Sequence, residues 1–209
     1  MTAIIQANKL NMIDVEHKFS LNQTDDIQFF REWFDNLPEI TDIEKQVLDR
    51  AKANYLNAIK HREISENLVK MTVIAPLLAW ANFYRLPFDI VDENSIEISV
   101  ETQDELIKGR IDIIVFKHHL WLLVIESKNA GLSIINGIPQ ALTYMMANPH
   151  PEQPIFGLVT NGDDFQFIKL VKQNSPQYAL SKKFTISNPQ NNELYNVLSI
   201  LKRLGQVIN

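Results

Sequence analysis

Three charged residues stand where charge is costly. Asp112 lies in GRIDIIVF, and Glu126 and Lys128 close LWLLVIESK. Both segments otherwise read as buried strands, and a buried charge is expensive unless it is paired or bound to a metal. Glu126 and Lys128 are two apart, so on a strand they share a face. A hairpin turning near Lys117–His119 puts Asp112 on the preceding strand. A three-residue loop at 118–120 pairs position 112 with 126, and a loop at 117–119 sets them one diagonal step apart. A two-residue loop puts them on opposite faces unless a bulge intervenes. A shared site therefore predicts an odd loop or a bulge. Two carboxylates about 5–8 Å apart at Cβ, beside the backbone carbonyl of Ser127, form an oxygen-rich site suited to Mg²⁺. An adjacent lysine can orient or deprotonate a water and offset phosphoryl charge. These parts suit hydrolysis of a phosphodiester. The competing reading is a structural ion pair at a sheet edge.

The elements that must position these residues follow from periodicity. Residues 1–23 show no strong period and read as a loose arm or an edge strand. Residues 24–36 predict a helix capped by Thr24, with Ile27, Phe30, Trp33 and Phe34 at helical spacing. A second helix starts near Thr41, with Glu44 at the capping-box position, and runs to about His61. Ser65 caps a third, ENLVKMTVIAPLLAWANFY, in which Pro76 predicts a kink rather than a break. After Pro87 the period changes to two: Ile96, Ile98 and Val100 mark a strand, and the hairpin follows. LWLLVIE is apolar on both faces and suits a central strand. Residues 134–147 predict a helix, and 154–160 a buried strand ended by the Asn161-Gly162 turn. FQFIKLV and 178–186 read as strands. A last helix runs from Asn192 to Leu204, ended by Gly205. The order predicts an α/β domain with a mixed sheet.

The residues at these positions resemble the PD-(D/E)xK nuclease superfamily. Asp112 is followed by 13 intervening residues and then Glu126-Ser127-Lys128. More closely, the chain is similar to the nuclease domain at the N-terminus of type I restriction enzyme R subunits. That group has a G-R-x-D strand (Gly109-Arg110-Ile111-Asp112), an E-x-K strand, a Q-x-x-x-Y helix (Gln140, Tyr144) and a strand ending in T-N-G (Thr160-Asn161-Gly162). A glutamate on the helix before the sheet, Glu66, fits as well. The resemblance covers about residues 62–172, and Ser127 stands where an apolar residue is more usual. It implies a restriction-endonuclease-like core, a mixed central sheet flanked by helices, over residues 62–209, preceded by a helical section over 1–61 as a partner or dimer surface. It implies that Asp112 and Glu126 bind Mg²⁺, with Mn²⁺ as a substitute, that Lys128 positions the attacking water and that Glu66 holds the metal through a water. Gln140 would lie near the lysine or the DNA backbone, supported by Tyr144. The alternatives are a first-turn helix residue for Glu66, surface exposure for Gln140, and a salt bridge for Arg110, which otherwise contacts phosphate. His118 and His119 read as turn residues.

Composition narrows the class. No cysteine excludes a disulfide scaffold, a thiol nucleophile and a thiolate zinc site. The net charge of −5 argues against a broad basic DNA-binding surface. Residues 61–130 carry 7 basic and 11 acidic side chains, and 131–209 carry 6 and 4. Lys169, Lys172, Lys182, Lys183, Lys202 and Arg203 supply that excess and are the candidates there for DNA contacts, Lys169 and Lys172 foremost, against a solvated face. No apolar run approaches the roughly 20 residues a membrane span needs, and the N-terminus lacks a signal-peptide pattern, so a cytoplasmic protein is expected. No GxxxxGK[ST] segment is present, which predicts a stand-alone domain without a motor. The expected activity is an endonuclease on DNA, with homodimer or restriction-complex partners. The alternatives are a catalytically silent module that binds DNA or such a partner, and an interaction protein with a fortuitous motif.

Overall fold

The computed structural model describes residues 3–60, 63–92, 97–102, 105–173 and 175–207. The chain runs β1 (Ala3–Gln6), α1 (Met12–Phe19), β2 (Asn22–Gln23), α2 (Asp42–Ile59), α3 (Glu66–Val69), a π turn (Lys70–Ile74) and α4 (Ala75–Trp80). It continues with β3 (Phe88–Asp92), β4 (Glu97–Thr102), β5 (Glu105–Arg110), β6 (Ile113–Lys117), β7 (Leu120–Ser127) and α5 (Ile138–Met146). The last elements are β8 (Ile155–Thr160), β9 (Asp164–Val171), β10 (Gln177–Thr185) and α6 (Leu194–Val207).

Seven strands form a mixed sheet in the order β2-β10-β9-β8-β7-β6-β3, and β1-β5-β4 form a smaller sheet. The doubly apolar β7 is central, antiparallel to β6 and parallel to β8. A parallel neighbour needs a crossover connection, and α5 lies on it. Successive β7 residues feed opposite cores. Leu123 and Ile125 join the core with α2, α4 and α6, whereas Val124 joins the core with α1 and α5. The result is a restriction-endonuclease-like α/β architecture with helices on both sheet faces. No helix among the described residues is long and apolar enough to cross a membrane.

Residues 1–60 contribute strands as well as helices. β1 pairs with β5 and β2 with β10, both in parallel. Residues 1–23, read as a loose arm or an edge strand, supply an edge strand to each sheet and the helix α1 between them. Asn11 and Asp14 cap it reciprocally, and Val15 and Phe19 are its buried residues. The helix expected over 24–36 is absent. Turns replace it, apart from one 3₁₀ turn at Arg31–Trp33. Thr24 Oγ accepts the Asp26 N–H, and Asp26 Oδ1 accepts the Gln28 N–H. These short-range bonds compete with the helical ladder, and the aromatics still reach the core, with Phe30 stacked near Phe156. α2 begins as expected, with the Thr41–Glu44 capping box present.

The helix continues through Pro76, as expected, and a π turn precedes it in which the Ala75 N–H bonds to the Lys70 carbonyl. Two more expectations are revised. GRIDIIVF is two strands: β5 ends at Arg110, and the chain bends at Asp112 into β6 of the other sheet. Gly205 does not end α6 but lies buried inside it. A Cβ there would stand 3.1 Å from Phe83 and 3.2 Å from Phe88, so the glycine permits close packing. Ile98 and Val100 lie on β4, and Ile96 is outside the described residues.

Candidate active site

The β6–β7 hairpin decides whether Asp112 and Glu126 can meet. Its loop is His118–His119, both with positive φ, as expected for a two-residue turn. That loop alone would set the two carboxylates on opposite faces. A bulge corrects it. Phe116 pairs with Trp121, but Val115 pairs with Leu123, so Leu122 is the extra residue. Ile113 then pairs with Ile125, a register that, carried one step past the end of the ladder, sets Asp112 opposite Glu126 and not Ile125. The bulge is the device that a shared site requires.

Asp112 occupies the bend before β6. Its Oδ2 accepts from the Ser127 N–H at 2.7 Å and the Ser127 hydroxyl at 2.8 Å. Its Oδ1 accepts from Lys70 Nζ at 2.9 Å. The unusual Ser127 is thus a clamp on the aspartate. Lys70, absent from the sequence reading, is brought there by the first residue of the π turn. Its only sequence signal was a position one helical turn after Glu66.

Glu126 is 2% exposed. Oε1 accepts from Lys128 Nζ at 2.7 Å, and Oε2 is buried without a hydrogen-bond partner. Burial, and then the Asp112 charge, push its carboxyl up to about 8, against the pull of Lys128. The Glu66 charge adds the smallest contribution to the rise. The Glu66 N–H donates to Asn129 Oδ1, which ties the start of α3 to the chain just past Lys128.

Lys128 also donates to Gln140 Oε1 at 2.8 Å, and Gln140 Nε2 donates to the Tyr144 hydroxyl at 2.9 Å. Gln140 is buried, so the surface alternative is set aside. The Tyr144 hydroxyl accepts the Arg110 N–H at 3.1 Å. Burial and the Glu126 charge push the Tyr144 phenol up to about 12, so it stays protonated. Two glycines make room for this relay. A Cβ on Gly109 would lie 2.4 Å from the Tyr144 ring, and one on Gly137 would lie 2.6 Å from Val159 and 3.3 Å from Lys128. The glycine of G-R-x-D is therefore needed by the tyrosine of Q-x-x-x-Y. Thr160 joins the frame through its carbonyl, which accepts the Lys128 N–H. Asn161 Nδ2 holds the Leu132 carbonyl at 2.7 Å.

The structure does not bring every candidate here. Arg110 is exposed at the end of β5, not on one strand face with Asp112. Tyr144 is 2% exposed and supports Gln140 instead of presenting a DNA contact. Lys169 pairs with Glu32 at 2.6 Å, next to Phe156 at the other end of β8 from the site. Lys172 donates to the Met146 and Asn148 carbonyls at the end of α5.

Among the described residues no three His, Asp or Glu side chains gather into a complete cage. The donor set still fits a hard ion: two carboxylates, one with an orphaned buried oxygen. Mg²⁺ commonly takes one or two carboxylates and keeps several waters.

The family model for the type I restriction enzyme R protein N terminus matches residues 7–175. Comparison with curated proteins gives no match. The family match covers most of the chain, including both strands and the helix that build the site, and the chain belongs to the family of type I restriction enzyme R protein N termini.

Proposed function

We propose that this restriction-enzyme domain is a metal-dependent endonuclease that hydrolyses DNA phosphodiester bonds. The observation that carries the reading is the orphaned Glu126 Oε2, buried beside Asp112 in a bulged hairpin. An unpaired carboxylate oxygen there is costly for a purely structural role. Asp112, Glu126 and the Ser127 carbonyl would hold Mg²⁺ or Mn²⁺, with Glu66 acting through a water. The ion would supply a Lewis acid for the phosphoryl oxygen and a more acidic water.

The chain's own groups divide the remaining work. Lys128 is fixed by Glu126 and Gln140. Two of its three donors are spent there, and the third would orient the attacking water or a phosphoryl oxygen. Gln140 keeps the ammonium in place, and Tyr144 keeps Gln140 in place. Arg110, exposed at the end of β5 rather than in the site, would touch the DNA backbone. One site cuts one strand, so double-strand cleavage would need a second copy, a restriction-complex partner or two encounters.

The test is nicking of supercoiled plasmid with Mg²⁺ by wild type and Asp112→Ala. Activity that disappears in the variant supports the reading. Equal background in both sinks it and leaves a silent module that binds DNA or a restriction-complex subunit.

A further inference from the structure

The proposed ion site already holds a cation of the protein's own. Lys70 Nζ lies 2.9 Å from Asp112 Oδ1, with the side chains 17% and 13% exposed. The other Asp112 oxygen is occupied by both donors of Ser127. Oδ1 is therefore the oxygen through which Asp112 can reach an ion, and Lys70 sits on it. Glu126 shows the complementary arrangement: one oxygen carries Lys128, and the other is buried and unpartnered. Lys70 opens the π turn, where the bonding pattern shifts from four residues to five. Such turns concentrate at functional positions in helices.

We propose that Lys70 is a displaceable internal counter-ion. It holds Asp112 Oδ1 while the site lacks a divalent cation and yields that oxygen when the cation arrives. The inference rests on the nuclease reading and deepens it by naming a control on ion loading. An ammonium and a divalent ion on one carboxylate oxygen repel strongly where water is scarce. A lysine can withdraw, because its charge rides on a flexible four-carbon stem. The pairing also explains how the fold tolerates two neighbouring carboxylates: each holds a lysine. Lys70 is a positioning residue in this scheme and competes with the ion for Asp112.

A merely structural ion pair predicts the opposite effect of removing the lysine. If Lys70 only braces Asp112, its loss loosens the aspartate and weakens ion binding. If Lys70 competes, its loss strengthens binding. The experiment is calorimetric titration of Mn²⁺ into the full chain without DNA, for wild type, Lys70→Met, Lys70→Arg and Asp112→Asn. Lys70→Met is expected to bind about tenfold more tightly than wild type, equivalent to about 1.4 kcal/mol. Lys70→Arg, which keeps the charge, is expected to bind no more tightly than wild type. In thermal unfolding, Lys70→Met should melt lower than wild type without the ion and gain more on adding it. Lys70→Gln replaces the methionine variant if that one does not fold. Equal or weaker Mn²⁺ binding by the folded neutral variant, with Asp112-dependent binding in wild type, overturns this inference alone. No Mn²⁺ binding by either protein overturns the nuclease reading and this inference with it.

Discussion

Glu44 and Glu126 are both buried glutamates bonded to a lysine, and their environments pull them in opposite directions. Glu44 sits at the start of α2. Thr41 gives it a backbone N–H at 2.7 Å and a hydroxyl at 2.9 Å, and Lys202 of α6 gives it an ammonium at 2.8 Å. Burial works to raise its carboxyl, but the bonds from Lys202 and Thr41 outweigh it and hold Glu44 below the ordinary carboxylate range. Glu126 has one donor, one orphaned oxygen and two other carboxylates in its field, and it is pushed up to about 8. Burial of a charge therefore does not mark a function by itself. What separates the two is whether the surroundings complete the carboxylate or leave one of its oxygens without a partner beside a second carboxylate. Among the lysines of the last third, Lys183 meets Asp164 and Lys182 stands 3.6 Å from Glu193. Lys169 meets Glu32, whose Oε2 is buried without a partner as Glu126 Oε2 is, so an orphaned oxygen alone does not mark the site and the second carboxylate beside Glu126 does.

Opposite substitutions break this comparison most directly. Glu126→Gln is expected to cut plasmid nicking at least about 100-fold, while Glu44→Gln leaves it at the wild-type rate. Stability should respond the other way. In denaturant titration Glu44→Ala is expected to lose about 2 kcal/mol, from a lost cap and a weakened ion pair. Glu126→Gln is expected to be neutral at about pH 7, where the folded carboxyl holds its proton, and stabilising at about pH 8.5, where the ionised form is disfavoured by burial and by Asp112. A destabilised Glu126→Gln with full nicking would reverse the assignment.

The relay behind Lys128 gives a second contrast. Gly109→Ala would drive a methyl into Tyr144 and Ala7 and should cost about 1–3 kcal/mol, with nicking reduced. Tyr144→Phe keeps the ring but removes the acceptor for Arg110 and Gln140. It should cost about 1 kcal/mol per lost bond and reduce nicking less than Glu126→Gln does.

The pH dependence of stability separates the two glutamates as well. Glu126 titrates near its ordinary 4.5 when unfolded and near 8 when folded. Between those values the folded state binds the extra proton, so stability is full below the lower value and falls as pH rises to the upper one. Melting at about pH 5.5 and about pH 8.5 should show that fall, and Glu126→Gln should flatten it. Glu44 has the reverse sign: its contribution is present above its ordinary value and is lost as pH falls through the lowered one. The smallest expected effect belongs to Thr41→Ala, about 1 kcal/mol with unchanged nicking.

The contrast also accounts for what was legible in the sequence. Continuous apolar runs marked β7 and β8, alternation marked β9 and helical spacing marked the helix carrying Gln140 and Tyr144, so these were readable, as was the demand for a bulge or odd loop. Lys70 was not, because no residue in the sequence marked the π turn that sets where its side chain points. Ser127 was noticed only as a departure, since a hydroxyl aimed at a neighbouring strand end leaves no periodic trace. Gly109 and Gly137 matter through what approaches them from distant parts of the chain. The aromatics of 24–36 carried a helical spacing, but Thr24 and Asp26 spent the local backbone bonds on turns.

The bulge at Leu122 has a consequence for how this hairpin tolerates length changes. The two-residue turn and the single extra residue act as two parity bits, and the chemistry needs their sum to be odd. One deletion in either should flip Asp112 to the far face from Glu126 and silence the site while leaving a foldable hairpin. Removing Leu122 while lengthening the turn by one residue should restore it. Related chains can therefore trade turn length against bulge, but not change one without the other.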